Sequence, residues 1–125
     1  MNTLLLERKA ATFIAVVTVL TGGSQMVMPA ALLPLLGVPP TPAAAQLFAT
    51  VGMFMVLFGG ALLHAQHTPA ALPLVLLWAA LQKLGAAALV AWGVSRGVFA
   101  PLALAVAAFD FASGLLFLDL RRRGG

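Results

Sequence analysis

Residues 70–120 read AALPLVLLWAALQKLGAAALVAWGVSRGVFAPLALAVAAFDFASGLLFLDL. Two long apolar runs, Ala70 to Val94 and Val98 to Leu120, flank the short turn Ser95-Arg96-Gly97. Each run is close to the roughly 20 residues that a helix needs to cross a hydrocarbon core of about 30 Å. Gln82 and Lys83 interrupt the first run and Asp110 the second. Ionisable groups in hydrocarbon are rare because they are costly, and they face protein, water or each other. Lys83 and Asp110 stand at nearly equal distances from the turn. An antiparallel hairpin therefore sets them at nearly the same depth, close to the bilayer centre.

Working outward, two further runs of the same kind precede this pair. They cover Ala10 to Met28 and Ala43 to Leu63. The chain of 125 residues is 62% hydrophobic and only 8% charged, with a mean hydropathy of +1.08. A soluble domain of this length needs far more charge to cover its surface. The expected fold class is all-α: an integral membrane four-transmembrane-helix bundle of up-down topology. It forms a single domain, 1–125, with helices at about 10–28, 43–63, 70–94 and 98–120. A barrel is excluded, since its strands alternate with period two over about 10 residues. The basic start, apolar stretch and small residues near Ala30 also fit a signal peptide. The segment is read here as a transmembrane helix.

Local punctuation agrees with these bounds. Thr41-Pro42 and Thr68-Pro69 each offer a capping hydroxyl followed by proline at a first helical position. Pro73 and Pro101 fall near helix starts, where proline costs less than in a helix interior. Pro29, Pro34, Pro39, Pro40 and Pro42 crowd the first connection, yet Ala30 to Leu36 is apolar. That segment is expected to pack at the interface, with a lid over an outward-facing cavity as the alternative.

The net charge of +4 is not spread evenly. Arg8 and Lys9 precede the first run, and Arg121, Arg122 and Arg123 follow the last. Only Lys83 and Arg96 lie between. The positive-inside rule then sets both termini in the cytoplasm. The pattern marks a lipid bilayer as partner, with basic ends drawn to anionic headgroups, and not a nucleic acid. There is no cysteine, which excludes thiol chemistry and thiolate metal sites.

The polar residues inside the runs are the site candidates. Ala79, Ala80, Ala86 and Ala87 surround Lys83 at helical spacing. Val106, Ala107, Ser113 and Gly114 surround Asp110. Small faces of this kind let membrane helices approach closely, so the two charges point into the bundle and toward each other. One reading is a proton or ligand site, the other a static ion pair that fixes helix register. Gln82 points about 100° away from Lys83 and bonds across an interface. Thr18, Thr21, Gly22 and Gln25 share one face of the first helix. Gln25 and Gln46 form either a polar mouth above Lys83 and Asp110 or hydrogen bonds at the headgroup boundary. Trp92 suits an interfacial belt, and Trp78, set deeper, lines the bundle. Ala45, Ala49, Gly52, Val56, Gly59 and Gly60 form a packing stripe, internal or between protomers of a homodimer. Asp119 makes a local surface salt bridge with Arg121 to Arg123. His64 and His67 are read as a solvated loop, with no metal site.

Phosphate-binding loops, dinucleotide fingerprints, zinc-protease motifs and serine triads are not found in the sequence. No catalytic residue is assigned. The expected function is a non-enzymatic small membrane protein. It is an accessory or scaffold subunit of a larger membrane complex, or a binder of a small lipophilic molecule. The alternative is a proton-coupled small-molecule transporter acting as a dimer. A lipid- or quinone-modifying enzyme using Asp110 as acid or base is a third reading.

The stretch LLPLLGVPPTPAAAQLFATVGMFMVLFGGALL, Leu32 to Leu63, resembles the DoxX-like family of small bacterial membrane proteins. The resemblance rests on the proline-rich connection and the glycine-rich second helix. It implies a four-helix bacterial membrane protein and, in that family, a quinone-linked redox partnership. DoxX-like proteins usually carry a glutamate in the second helix, where this chain has Gly52-Met53-Phe54-Met55.

Overall fold

The computed structural model describes residues 2–124. The chain forms α1 (Asn2–Val27), a short α2 (Pro29–Leu32) that runs into a 3-10 turn (Leu33–Leu36), α3 (Pro42–Ala65), α4 (Leu72–Ser95) and α5 (Ala103–Arg122). No strand occurs among the described residues. The four long helices each have the length and hydropathy to cross a membrane. At about 1.5 Å per residue, even a 20-residue helix reaches about 30 Å.

Three helix starts depart from the expected bounds, each for a local reason. α1 begins at Asn2, not near Ala10, because Leu4-Leu5-Leu6-Glu7-Arg8-Lys9 is made of good helix formers. Charge ends the apolar run there without ending the helix. α4 begins at Leu72, so Thr68-Pro69 does not cap it. A start at Pro69 would put Pro73 in the helix interior, without an N–H and with its ring against the Pro69 carbonyl. The chain instead turns through Thr68–Ala71, with the Ala71 N–H donating to the Thr68 carbonyl at 2.9 Å. α5 begins at Ala103, not Val98, since Pro101 disfavours a helical residue before it. The Thr41-Pro42 start forms as expected, and Thr41 Oγ1 accepts from the Ala44 N–H at 3.2 Å.

The helices associate as two close-packed antiparallel pairs. α1 lies on α3 through Gly22 and Gly52, where a Cβ on either glycine would press into the carbonyl of the other. A Cβ on Gly59 would stand 2.8 Å from the Ala15 carbonyl oxygen. Of the expected α3 stripe, Gly52 and Gly59 are therefore spent inside the molecule, while Gly60 faces open space. α4 lies on α5 through Gly114, whose missing Cβ leaves room for Leu84. Arg121 Nε donates to the Pro73 carbonyl at 3.1 Å and closes the same pair at its terminal end.

The two pairs meet in a core of Ala11, Ile14, Ala15, Leu62, Ala65, Leu72, Leu76, Ala79, Ala80, Phe117 and Leu120. All of these lie toward the end that carries both termini. At the opposite end Leu33 is buried, and the Ala100 N–H donates to the Leu36 carbonyl at 2.7 Å. Gly37 sits beside that bond at φ 77, with space for a Cβ taken by Ala100. The apolar first connection thus packs onto the α4–α5 turn. Phe13, Leu20, Leu47, Leu57, Leu74 and Leu89 all point outward and stay exposed. Helices apolar on every side belong in a core or a membrane.

Candidate functional site

Lys83, near the middle of α4, is 4% exposed, and Asp110 on α5 is 8% exposed. Lys83 Nζ stands 3.3 Å from Asp110 Oδ1 and donates a hydrogen bond to it. It donates a second, shorter bond of 2.8 Å to Thr18 Oγ1 on α1. Thr18 in turn donates its hydroxyl proton to the Ile14 carbonyl at 2.8 Å. That local bond uses up the donor and leaves the oxygen lone pairs for the ammonium. The Phe109 ring adds a further contact, its centroid 5.5 Å from Nζ, within cation–π range. Charge-assisted bonds of this kind are about twice as strong as neutral ones.

The expected Lys83–Asp110 contact is therefore formed, and Ser113 lies buried one turn along the same face of α5. Thr18 is the residue that sequence reasoning left out of the pair. The available signal was depth, because Thr18 is close to the middle of its apolar run, as Lys83 is of its own. Gln82 reaches a small cavity of about 10 Å³ beside the pair, together with Thr18, Lys83 and Phe58.

The remaining candidates stand apart from the pair. Gln25 is 6% exposed, and its Nε2 donates to the Phe48 carbonyl on α3 at 3.1 Å. Gln46 is exposed and borders an open groove of about 230 Å³ with Met26, Ala49, Thr50 and Met53. The two glutamines do not make one mouth over Lys83. Trp78 does not line the bundle, being 57% exposed. Leu76, Ala79 and Ala80 hold the inward face of α4, so the turn of the helix carries Trp78 outward. Trp92 is also exposed and stacks under the Arg96 guanidinium, 4.9 Å from its ring centroid.

A second polar cluster closes the terminal end. Arg123 donates to Thr3 Oγ1 at 2.6 Å and stands 3.4 Å from Glu7 Oε1 and 3.5 Å from Asp119 Oδ2. Arg122 pairs with Asp119. The salt bridge expected within α5 thus extends across to α1. Among the described residues, no group of three or more His, Cys, Asp or Glu side chains gathers as for a metal ion.

Comparison with protein-family models, curated proteins and solved structures finds no match.

Proposed function

We propose that this chain is a bacterial inner-membrane protein of four transmembrane helices in up-down order, with both termini cytoplasmic. In this reading it is a non-enzymatic accessory or scaffold subunit, or a holder of a small lipophilic molecule. One observation carries the proposal: Lys83 is held by Asp110 of α5 and Thr18 of α1 in a buried site. The space beside it, about 10 Å³, is far below the 300–1,000 Å³ or so of ordinary ligand sites. The ammonium acts as a joint between helix pairs. A lipophilic guest has more room in the open groove by Met26 and Met53, about 230 Å³. Orientation rests on the charges, with Arg8, Lys9 and Arg121 to Arg123 at the terminal end and Arg96 at the other. The DoxX-like resemblance of Leu32–Leu63 belongs to this reading for architecture alone.

A second reading has its own support. The Lys83–Thr18 bond links two close-packed pairs, so a shift between them would work through that ammonium. A proton-coupled transporter acting as a dimer would use it so.

The test compares Lys83→Met, Asp110→Leu and the double variant by thermal unfolding in lipid nanodiscs. Removing one partner of a buried pair costs about 3–5 kcal/mol, whereas apolar replacement of both is often near neutral. A joint predicts two weakened single variants and a double variant close to wild type. Proteoliposomes carrying a pH dye supply the other arm. A proton flux that Asp110→Asn abolishes in a well-folded protein would favour the transporter.

A further inference from the structure

A charged lysine carries three N–H donors. At Lys83 two of them are directed at Thr18 Oγ1 and Asp110 Oδ1. The Phe109 ring approaches from α5 and takes no part in lining the cavity beside the pair. That cavity, about 10 Å³, lies where the four long helices converge. Its polar walls are Thr18, Gln82 and Lys83, and Phe58, Leu62 and Phe117 make up much of the rest. A buried water needs about 10–15 Å³ of such space and two to four polar partners.

We infer that this cavity is a binding site for one water molecule, held between the Lys83 ammonium and the Gln82 amide. The water accepts the third Nζ proton and donates to the Gln82 carbonyl oxygen. Gln82 and Lys83 leave the helix about 100° apart, and a group between the two directions can meet both side chains. The inference gives Gln82 a reason for its place in an apolar run, since an amide left without partners in such surroundings is costly. It also completes the ammonium's shell with three oxygens, two from protein and one from water. Apolar side chains and the α3 backbone at Gly59 line the rest of the site, and about 10 Å³ is room for a single water.

The chain has two lysines, Lys9 and Lys83, so ¹⁵N-lysine labelling yields two Nζ signals, and Lys9→Arg assigns them. Solid-state NMR in lipid then follows magnetisation from water to each nitrogen. The expected result is a slow but definite transfer to Lys83, against fast transfer to exposed Lys9. Gln82→Met keeps the side-chain length and removes the amide. It should cost most of the Lys83 transfer while leaving its chemical shift in the range of an ammonium paired with carboxylate. Transfer absent from wild-type Lys83 would overturn the site, and that arm needs no variant to fold. Transfer as fast as that of Lys9, or undiminished in Gln82→Met, would equally overturn it, because the ammonium would then be wetted by another route.

Discussion

Thr18 shows how a small hydroxyl can hold a buried charge. Its proton goes to the Ile14 carbonyl and its lone pairs face Lys83. Thr18→Val keeps the shape and removes the acceptor. Hydrogen bonds to charged groups contribute about 1.5–3 kcal/mol, so Thr18→Val should lower stability by about that much, and Thr18→Ser should restore most of it. Thermal unfolding in nanodiscs reads both. If Thr18→Val unfolds like wild type, the ammonium does not depend on α1. Lys83 and Asp110 were legible in the sequence because charge in an apolar run stands out. Thr18 stands out less, since a threonine inside a helix satisfies itself on the carbonyl four residues back, and only its depth in the run points to a distant partner.

At the scale of the helices, glycine position separates contact from filler. Gly22, Gly52 and Gly59 meet backbone across the α1–α3 seam, whereas a Cβ on Gly23 or Gly60 would meet open space. Gly59→Ala should cost about 1–3 kcal/mol, the usual penalty of overpacking a tight contact. Gly60→Ala should stabilise by about 0.5–1 kcal/mol, because alanine loses less backbone freedom in a helix. Parallel melting curves of the two neighbours would decide it, and equal shifts would mean that the seam is looser than the structure has it. The stripe on α3 was visible in the sequence, but its partner was not. Small residues lie on several faces of several helices, so spacing alone cannot choose among them. Helix existence was readable from apolar length. The starts of α4 and α5 fall inside the apolar runs because Pro73 and Pro101, a few residues in, decide where a helix can begin.

Taken whole, the molecule is two close-packed pairs tied at three levels. Leu36 and Ala100 join them at one end, Lys83 and Thr18 near the middle, and Arg123 with Thr3 and Glu7 at the other. These ties are not equal. Arg123 and Glu7 keep 32% and 18% side-chain exposure, and partly exposed ion pairs contribute about 0–1 kcal/mol. A double-mutant cycle with Glu7→Ala and Arg123→Ala should therefore give a coupling under about 1 kcal/mol. The shared apolar core lies at this same terminal end, and its burial holds the pairs together there. Toward the opposite end each pair buries its own residues, Gly22, Gln25 and Gly52 in one, Ala87, Ala103 and Ala107 in the other. Motion between pairs should then be largest beyond the shared core, between it and the Leu36–Ala100 tie at the far end. The chain has no cysteine, so spin labels can be placed at will. Labels at exposed Leu20 and Leu47 lie within one pair, and labels at exposed Leu20 and Leu104 lie across both. Pulsed electron spin resonance in nanodiscs should find a narrow distance distribution for the first and a broader one for the second. Thr18→Val should broaden only the second, because it cuts the middle tie and leaves both pairs whole. Equal widths in wild type and variant would make the four helices one rigid body, and the lysine one core contact among many.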